Sequence, residues 1–194
     1  MRRTVTLLVL IQTGLLAVEW FSAYDTVPRR LALMLTNIIA TWLIILAIRA
    51  ADRRNQSIAP VAIILALLAI WADAVGNFTH QYGHNWWYDH LTHAFGITGA
   101  TAMAIEWYRL LVKANMIRLT PGQVAWIGFA IGQALGAIYE VSEYLGDQVF
   151  ATHRVGEGFD TSRDLVYNFL GGLLAVIVYW PVLKALVRRP QSVV

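Results

Sequence analysis

Six stretches of this chain are long and apolar enough to cross a bilayer, and four of them carry carboxylates, imidazoles and amides at one end. They run over residues 4–23, 31–49, 59–79, 89–111, 122–146 and 163–187. A hydrocarbon layer about 30 Å thick needs roughly 20 helical residues to span it. The expected fold is therefore all-α, a polytopic transmembrane bundle of six spans forming a single domain over 1–194. Composition agrees: 14% of residues are charged, against roughly 25% in a soluble domain. The apolar residues come in blocks instead of amphipathic stripes. The connections are short, the longest from Asp147 to Ser162, and leave no room for a soluble domain.

Charge sets the orientation. Arg29, Arg30, Arg154 and Arg163 fall on one side of the six-span path, and the other eleven Lys and Arg residues on the opposite side. Basic residues collect in cytoplasmic loops, so both termini are expected in the cytoplasm, in a plasma (inner) membrane. The same rule accounts for the net charge of +3 without a nucleic-acid partner. The first stretch, Thr4 to Ala23, follows Arg2-Arg3 but is longer than a signal-peptide core and lacks a convincing cleavage site. It reads as a retained span. With no cysteine in the chain, disulfides, thiolate metal sites and thiol nucleophiles are excluded.

Topology converts position into depth. Asp73, Asn77 and His80 lie towards the outer end of the third stretch, Asp89 and His93 at the start of the fourth, Glu140 and Glu143 late in the fifth, and Asp164 and Asn168 at the start of the sixth. All four sets arrive at the outer side, as do the five histidines, His80, His84, His90, His93 and His153. Ionisable groups near hydrocarbon are costly and tend to face a bundle interior or a wet cavity, which makes them candidates for function. Asp73 with Asn77, Asp89 with His93, and Asp164 with Asn168 are four apart, so each pair shares a helix face. Glu140 and Glu143 are three apart, and Asp160 adds a carboxylate four residues before Asp164.

So many carboxylates cannot all ionise together without compensation. Protonation, an inward-folded Arg154 or Arg163, or bound metal would each supply it. Oxygen and imidazole ligands without sulfur suit a divalent Zn, Mn or Fe ion, and Mg less well. Helical bundles build such centres from groups on facing helices. A wet hydrogen-bond network without metal is the plainer alternative.

Other features read structurally. Trp86, Trp87 and Tyr88 suit an interfacial aromatic belt. Gly128, Gly132 and Gly136 suit close helix packing. Glu106 and Arg109 suit an ion pair at the inner interface. Asp73-Ala-Val-Gly-Asn-Phe78 and Asp164-Leu-Val-Tyr-Asn-Phe169 share the pattern D-x-V-x-N-F on oppositely directed spans, as an inverted repeat would. Phosphate loops, G-x-S-x-G and H-E-x-x-H are absent from the sequence.

The segments W-Y-D-H-L-T-H-A-F-G (Trp87 to Gly96), Y-E-V-S-E (Tyr139 to Glu143) and F-D-T-S-R-D-L-V-Y-N-F-L-G (Phe159 to Gly171) resemble, in order and spacing, the YjdF-like bacterial inner-membrane proteins. A looser likeness reaches VanZ-like membrane proteins. The resemblance covers about residues 70 to 175 and implicates Asp89, His93, Glu140, Glu143, Asp160 and Asp164, with Asp73 and Asn77 upstream. His90 stands where that family commonly has arginine, and Phe159 where it has tryptophan.

Together these readings predict a site near the outer leaflet. Asp89, His93, Glu140 and Asp164 would bind metal, Glu143 would act as general base, and Asp160 would be a second catalytic carboxylate. Asp73, Asn77, His80 and Asn168 would orient substrate or supporting groups. The expected chemistry is metal-assisted hydrolysis or transfer on a lipid or lipid-linked substrate. The alternatives are a proton- or cation-coupled carrier, which six spans would suit only as a homodimer, and a non-catalytic accessory protein.

Overall fold

A computed structural model describes residues 2–21, 27–151, 154–156 and 158–187, and its regular structure is entirely helical among them. The helices are α1 (Arg2–Phe21), α2 (Val27–Asp52), α3 (Pro60–Phe78), α4 (Gln81–His84), α5 (Trp86–Lys113), α6 (Pro121–Phe150) and α7 (Asp160–Val187). Each long helix coincides with one apolar stretch of the sequence, and α4 is a single turn inside the third connection. Local chemistry sets the starts. Pro60 and Pro121 open α3 and α6, where the missing N–H costs nothing. Thr120 caps α6 in a reciprocal box with Gln123. His80 takes a left-handed conformation, φ 56°, at the joint between α3 and α4.

Among the described residues, four helical segments are long and apolar enough to cross a membrane: Met34–Asp52 of α2, α3, α6 and Asp160–Leu186 of α7. Two of the six predicted spans, the first (α1) and the fourth (α5), are not among them. For α5 the cause is visible: it carries His90, His93, Thr98, Thr101, Glu106 and Arg109, all buried. It packs against α7, α3 and α6, while α1 lies on α2 and α3. A helix enclosed in this way presents its polar groups to protein, so its composition need not match lipid. The outward faces are the apolar ones: Trp126, Ile138, Val149, Val166 and Ile177 are each more than half exposed.

Small residues set the helix separations. A side chain at Gly128, Gly132 or Gly136 would run into Ile105, Thr101 and Asn168 respectively, so the glycine run of α6 does serve close packing. Gly171 matters more, because a Cβ there would strike the Ala94 backbone carbonyl. The Thr98 hydroxyl straddles that contact, 2.7 Å from the Ala94 carbonyl and 2.9 Å from that of Gly171. This close approach brings the start of α5 against the start of α7.

Towards the C-terminal end of α5, Glu106 and Arg109 form the expected ion pair, but inside the protein: they are 1% and 7% exposed. Arg109 grips Glu106 through Nε at 2.5 Å and Nη2 at 2.6 Å, and Nη2 also donates to the Ser57 carbonyl at 3.0 Å. The Ala59 amide donates to Glu106 at 2.8 Å, and the Tyr179 hydroxyl donates to its other oxygen. One carboxylate thus fastens the loop before α3 to α5 and α7. This knot lies thirteen residues along α5 from His93, about 20 Å at 1.5 Å per residue.

Candidate functional site

At 100° per residue, Asp89, His90 and His93 occupy an arc of about 100° on α5, with His93 between the other two. That arc faces α6 and α7. His93 Nδ1 lies 3.3 Å from Glu140 of α6, and its Nε2 lies 3.9 Å from both Asp89 and Asp164 of α7. Either ring nitrogen therefore has a carboxylate beside it. His90 pairs through Nδ1 with Asp164 Oδ1 at 2.7 Å, and its ring stacks on Tyr167 with centroids 5.0 Å apart. The two oxygens of Asp164 address two different imidazoles.

Burial is high. His90 and Asp164 are 2% exposed, and His93 and Glu140 are 7% exposed. Buried polar groups are normally satisfied, yet Glu140 Oε1 and both amide atoms of Asn168 find no hydrogen-bond partner among the described residues. Asn168 sits one turn deeper on α7, against Gly136, and its carbonyl accepts from Gln133 at 3.2 Å. Two clusters of ligand-type groups result, His93–Glu140–Asp164 and Asp89–His90–Asp160–Asp164. Within each, one ligand atom per residue lies within 4.8 Å of the others.

The loop after α6 folds back on that helix. Asp147 accepts from the backbone amides of Arg154 and Val155 at 2.9 Å. The Arg154 guanidinium then reaches Glu143 at 2.7 Å and the Tyr139 hydroxyl at 2.8 Å. Burial works against its charge, but Tyr139 and Glu143 outweigh it and hold the Arg154 pKa above its ordinary value, with Asp73 contributing. Of the compensating charges the sequence allowed, Arg154 is the one that folds in; Arg163 is exposed. Asp160, at the start of α7, also accepts from the Gly156 amide at 3.0 Å.

The upstream residues form a flanking network. Asn77 donates to Asp73 Oδ1 at 3.2 Å, and the Tyr82 hydroxyl donates to the same oxygen at 2.8 Å. Burial first, and Asp73 next, push the Tyr82 pKa well up, so this hydroxyl keeps its proton and donates. It also lies 3.2 Å from the hydroxyl of Thr92, one residue before His93.

Asp89, His93, Glu140 and Asp164 thus come together, and Asp160 joins through Asp89, His90 and Asp164. Glu143 is held by Arg154 next to them. His80 is exposed and stands outside both clusters, its carbonyl 2.8 Å from His84 Nδ1. His153 lies outside the described residues. Trp86 and Trp87 are exposed as a belt requires, but Tyr88 is buried and donates to the Ala72 carbonyl at 2.6 Å. His90 was not among the expected ligands. Its position three residues before His93, on the same arc, was the available signal.

Apolar side chains turned outward and ionisable ones gathered inside define an integral helical membrane protein. The chain belongs to the family described as "Predicted membrane protein (DUF2238)", whose model it matches over residues 6–185. It is also similar to an uncharacterized protein of Thermotoga maritima, 26% identical over 121 residues. That match covers 61% of this chain and 61% of the relative, so the chain spans about three fifths of the length of the curated relative it matches. No solved structure matches.

Proposed function

We propose that the outer-end cluster is a divalent-metal site and that the protein carries out metal-assisted hydrolysis or group transfer on a lipid or lipid-linked substrate. The observation that carries this reading is the convergence of His93, Glu140 and Asp164 from three helices, nine-tenths or more buried, with Glu140 Oε1 making no hydrogen bond among the described residues and facing the His93 imidazole. Ligands bonded to one ion at about 2.0–2.2 Å sit roughly 3–3.5 Å apart. With one ring nitrogen of His93 as ligand, its ligand atom and those of Glu140 and Asp164 lie within 4.8 Å of one another, so side-chain movements of about an ångström close them on a Zn, Mn or Fe ion.

The residues take distinct roles in this reading. His93, Glu140 and Asp164 hold the ion, with Asp89 at the more exposed side. A bound ion lowers the pKa of a water molecule to near neutrality. Glu143 is the proton acceptor, facing the positive charge of Arg154, and Asp160 is the further carboxylate at the mouth. Asn168, with Asp73 and Asn77, orients substrate polar groups. The bundle spans the plasma membrane six times with both termini cytoplasmic, which puts the site at the outer leaflet.

Elemental analysis of the full chain, purified in detergent after growth with Zn, Mn and Fe and without chelators, tests the metal. At least one equivalent is expected in the wild type, with loss in His93→Ala and Asp164→Ala. A wild-type protein with no stoichiometric metal overturns the reading. Proton or cation flux in liposomes from that metal-free protein would favour a carrier.

A further inference from the structure

Asp164 divides its carboxylate between two imidazoles, and each imidazole belongs to a different cluster. Oδ1 meets His90 at 2.7 Å and Oδ2 faces His93 at 3.9 Å. On the His93 side stands Glu140; on the His90 side stand Asp89 and Asp160. We infer that these side chains hold two divalent cations bridged by Asp164, one on His93 and Glu140 and the other on His90, Asp89 and Asp160. The inference rests on the metal reading above and deepens it.

Charge supports a pair over a single ion. Arg154 is matched to Glu143, which leaves the carboxylates of Asp89, Asp160, Asp164 and Glu140 facing the two histidines. Four ionised carboxylates carry a charge of minus four. One divalent ion would leave half of that uncompensated in a largely buried site, and two would neutralise it. Like charges crowded in low dielectric cannot otherwise stay ionised.

Geometry agrees. A carboxylate with one oxygen committed to each side is the bridging ligand of two-metal sites, whose ions stand roughly 3.5–4 Å apart. Glu140 Oε1 makes no hydrogen bond among the described residues and lies 3.3 Å from His93 Nδ1, so an ion in the first position would find both atoms within reach. The second position has a buried imidazole with its Nδ1 on Asp164. It also has two half-buried carboxylates, Asp89 and Asp160, through which an ion can reach it from solvent. The i, i+1, i+4 spacing of Asp89, His90 and His93 lets one helix serve both positions.

Manganese titration followed by electron paramagnetic resonance tests the pair, with metal-stripped full-length protein in detergent. The wild type is expected to take up two Mn2+ per chain and to show the broadened spectrum of an exchange-coupled pair. His90→Gln and Asp160→Asn, each checked for an unchanged size-exclusion profile, are expected to retain one Mn2+ with an uncoupled six-line spectrum. Asp160→Asn keeps an acceptor for the Gly156 amide, so it remains informative if His90→Gln fails to fold. Saturation of the wild type at one uncoupled Mn2+ would overturn the second ion and leave the metal site standing. No binding by wild-type protein would overturn both.

Discussion

Arg109→Ala is expected to remove most of the folded protein from detergent extracts, although Arg109 lies about 20 Å from the candidate site. The substitution leaves Glu106, 1% exposed, with its negative charge facing only the Ala59 amide and the Tyr179 hydroxyl. Removing one partner of a buried ion pair costs about 3–5 kcal/mol. For a chain of this size each kcal/mol moves the thermal midpoint by about 2–4 °C. Scanning fluorimetry of whatever monodisperse protein remains should therefore show a loss of roughly 6–20 °C. Glu106→Gln with Arg109→Met removes both charges while keeping an acceptor for Ala59, and should recover much of the loss. A single Arg109→Ala variant as stable as wild type would show that the knot does not hold the bundle.

Gly171→Val should damage both fold and site. Its Cβ has no space, because the atoms in its way are the backbone of Ala94, which cannot rotate aside as a side chain can. The helices must separate, and overpacking of this kind costs about 1–3 kcal/mol. Ala94 is one turn from His90 and adjacent to His93. Separation therefore pulls both imidazoles away from Asp164, and bound metal should fall several-fold in the protein that survives. Gly96→Ala is the matched control on α5, since nothing lies within 4 Å of its added carbon. Equal metal content and midpoint in Gly171→Val and wild type would refute the close-approach argument.

These residues also show where sequence reasoning reached and where it stopped. Long apolar blocks marked the six long helices, because hydropathy is a local property. The i, i+4 spacing placed Asp89 with His93 and put Asp164 above Asn168, because one helix fixes those directions. Pairing between helices has no such local mark. His90 and Asp164 are separated by 74 residues, and Glu106 and Tyr179 by 73. Glu106 and Arg109 were legible as an i, i+3 pair, but their burial under Ser57, Ala59 and Tyr179 was not, because those partners come from other segments. Tyr88 looked like a belt residue beside two tryptophans, yet Gly76 leaves a recess on α3 that its ring fills. Arg154 was one of two arginines the sequence offered as an inward-folding charge, and the choice between them rests on the loop's path over Asp147, a contact no periodicity predicts.

In the proposed site, imidazole and carboxylate groups from α5, α6 and α7 share metal. X-ray absorption at the metal edge of the purified, metal-loaded protein tests it most directly. Nitrogen and oxygen neighbours are expected at about 2.0–2.2 Å, with the outer-shell scattering of imidazole. That imidazole signal should weaken in His93→Gln. A spectrum without imidazole scattering, or one unchanged by His93→Gln, would contradict it.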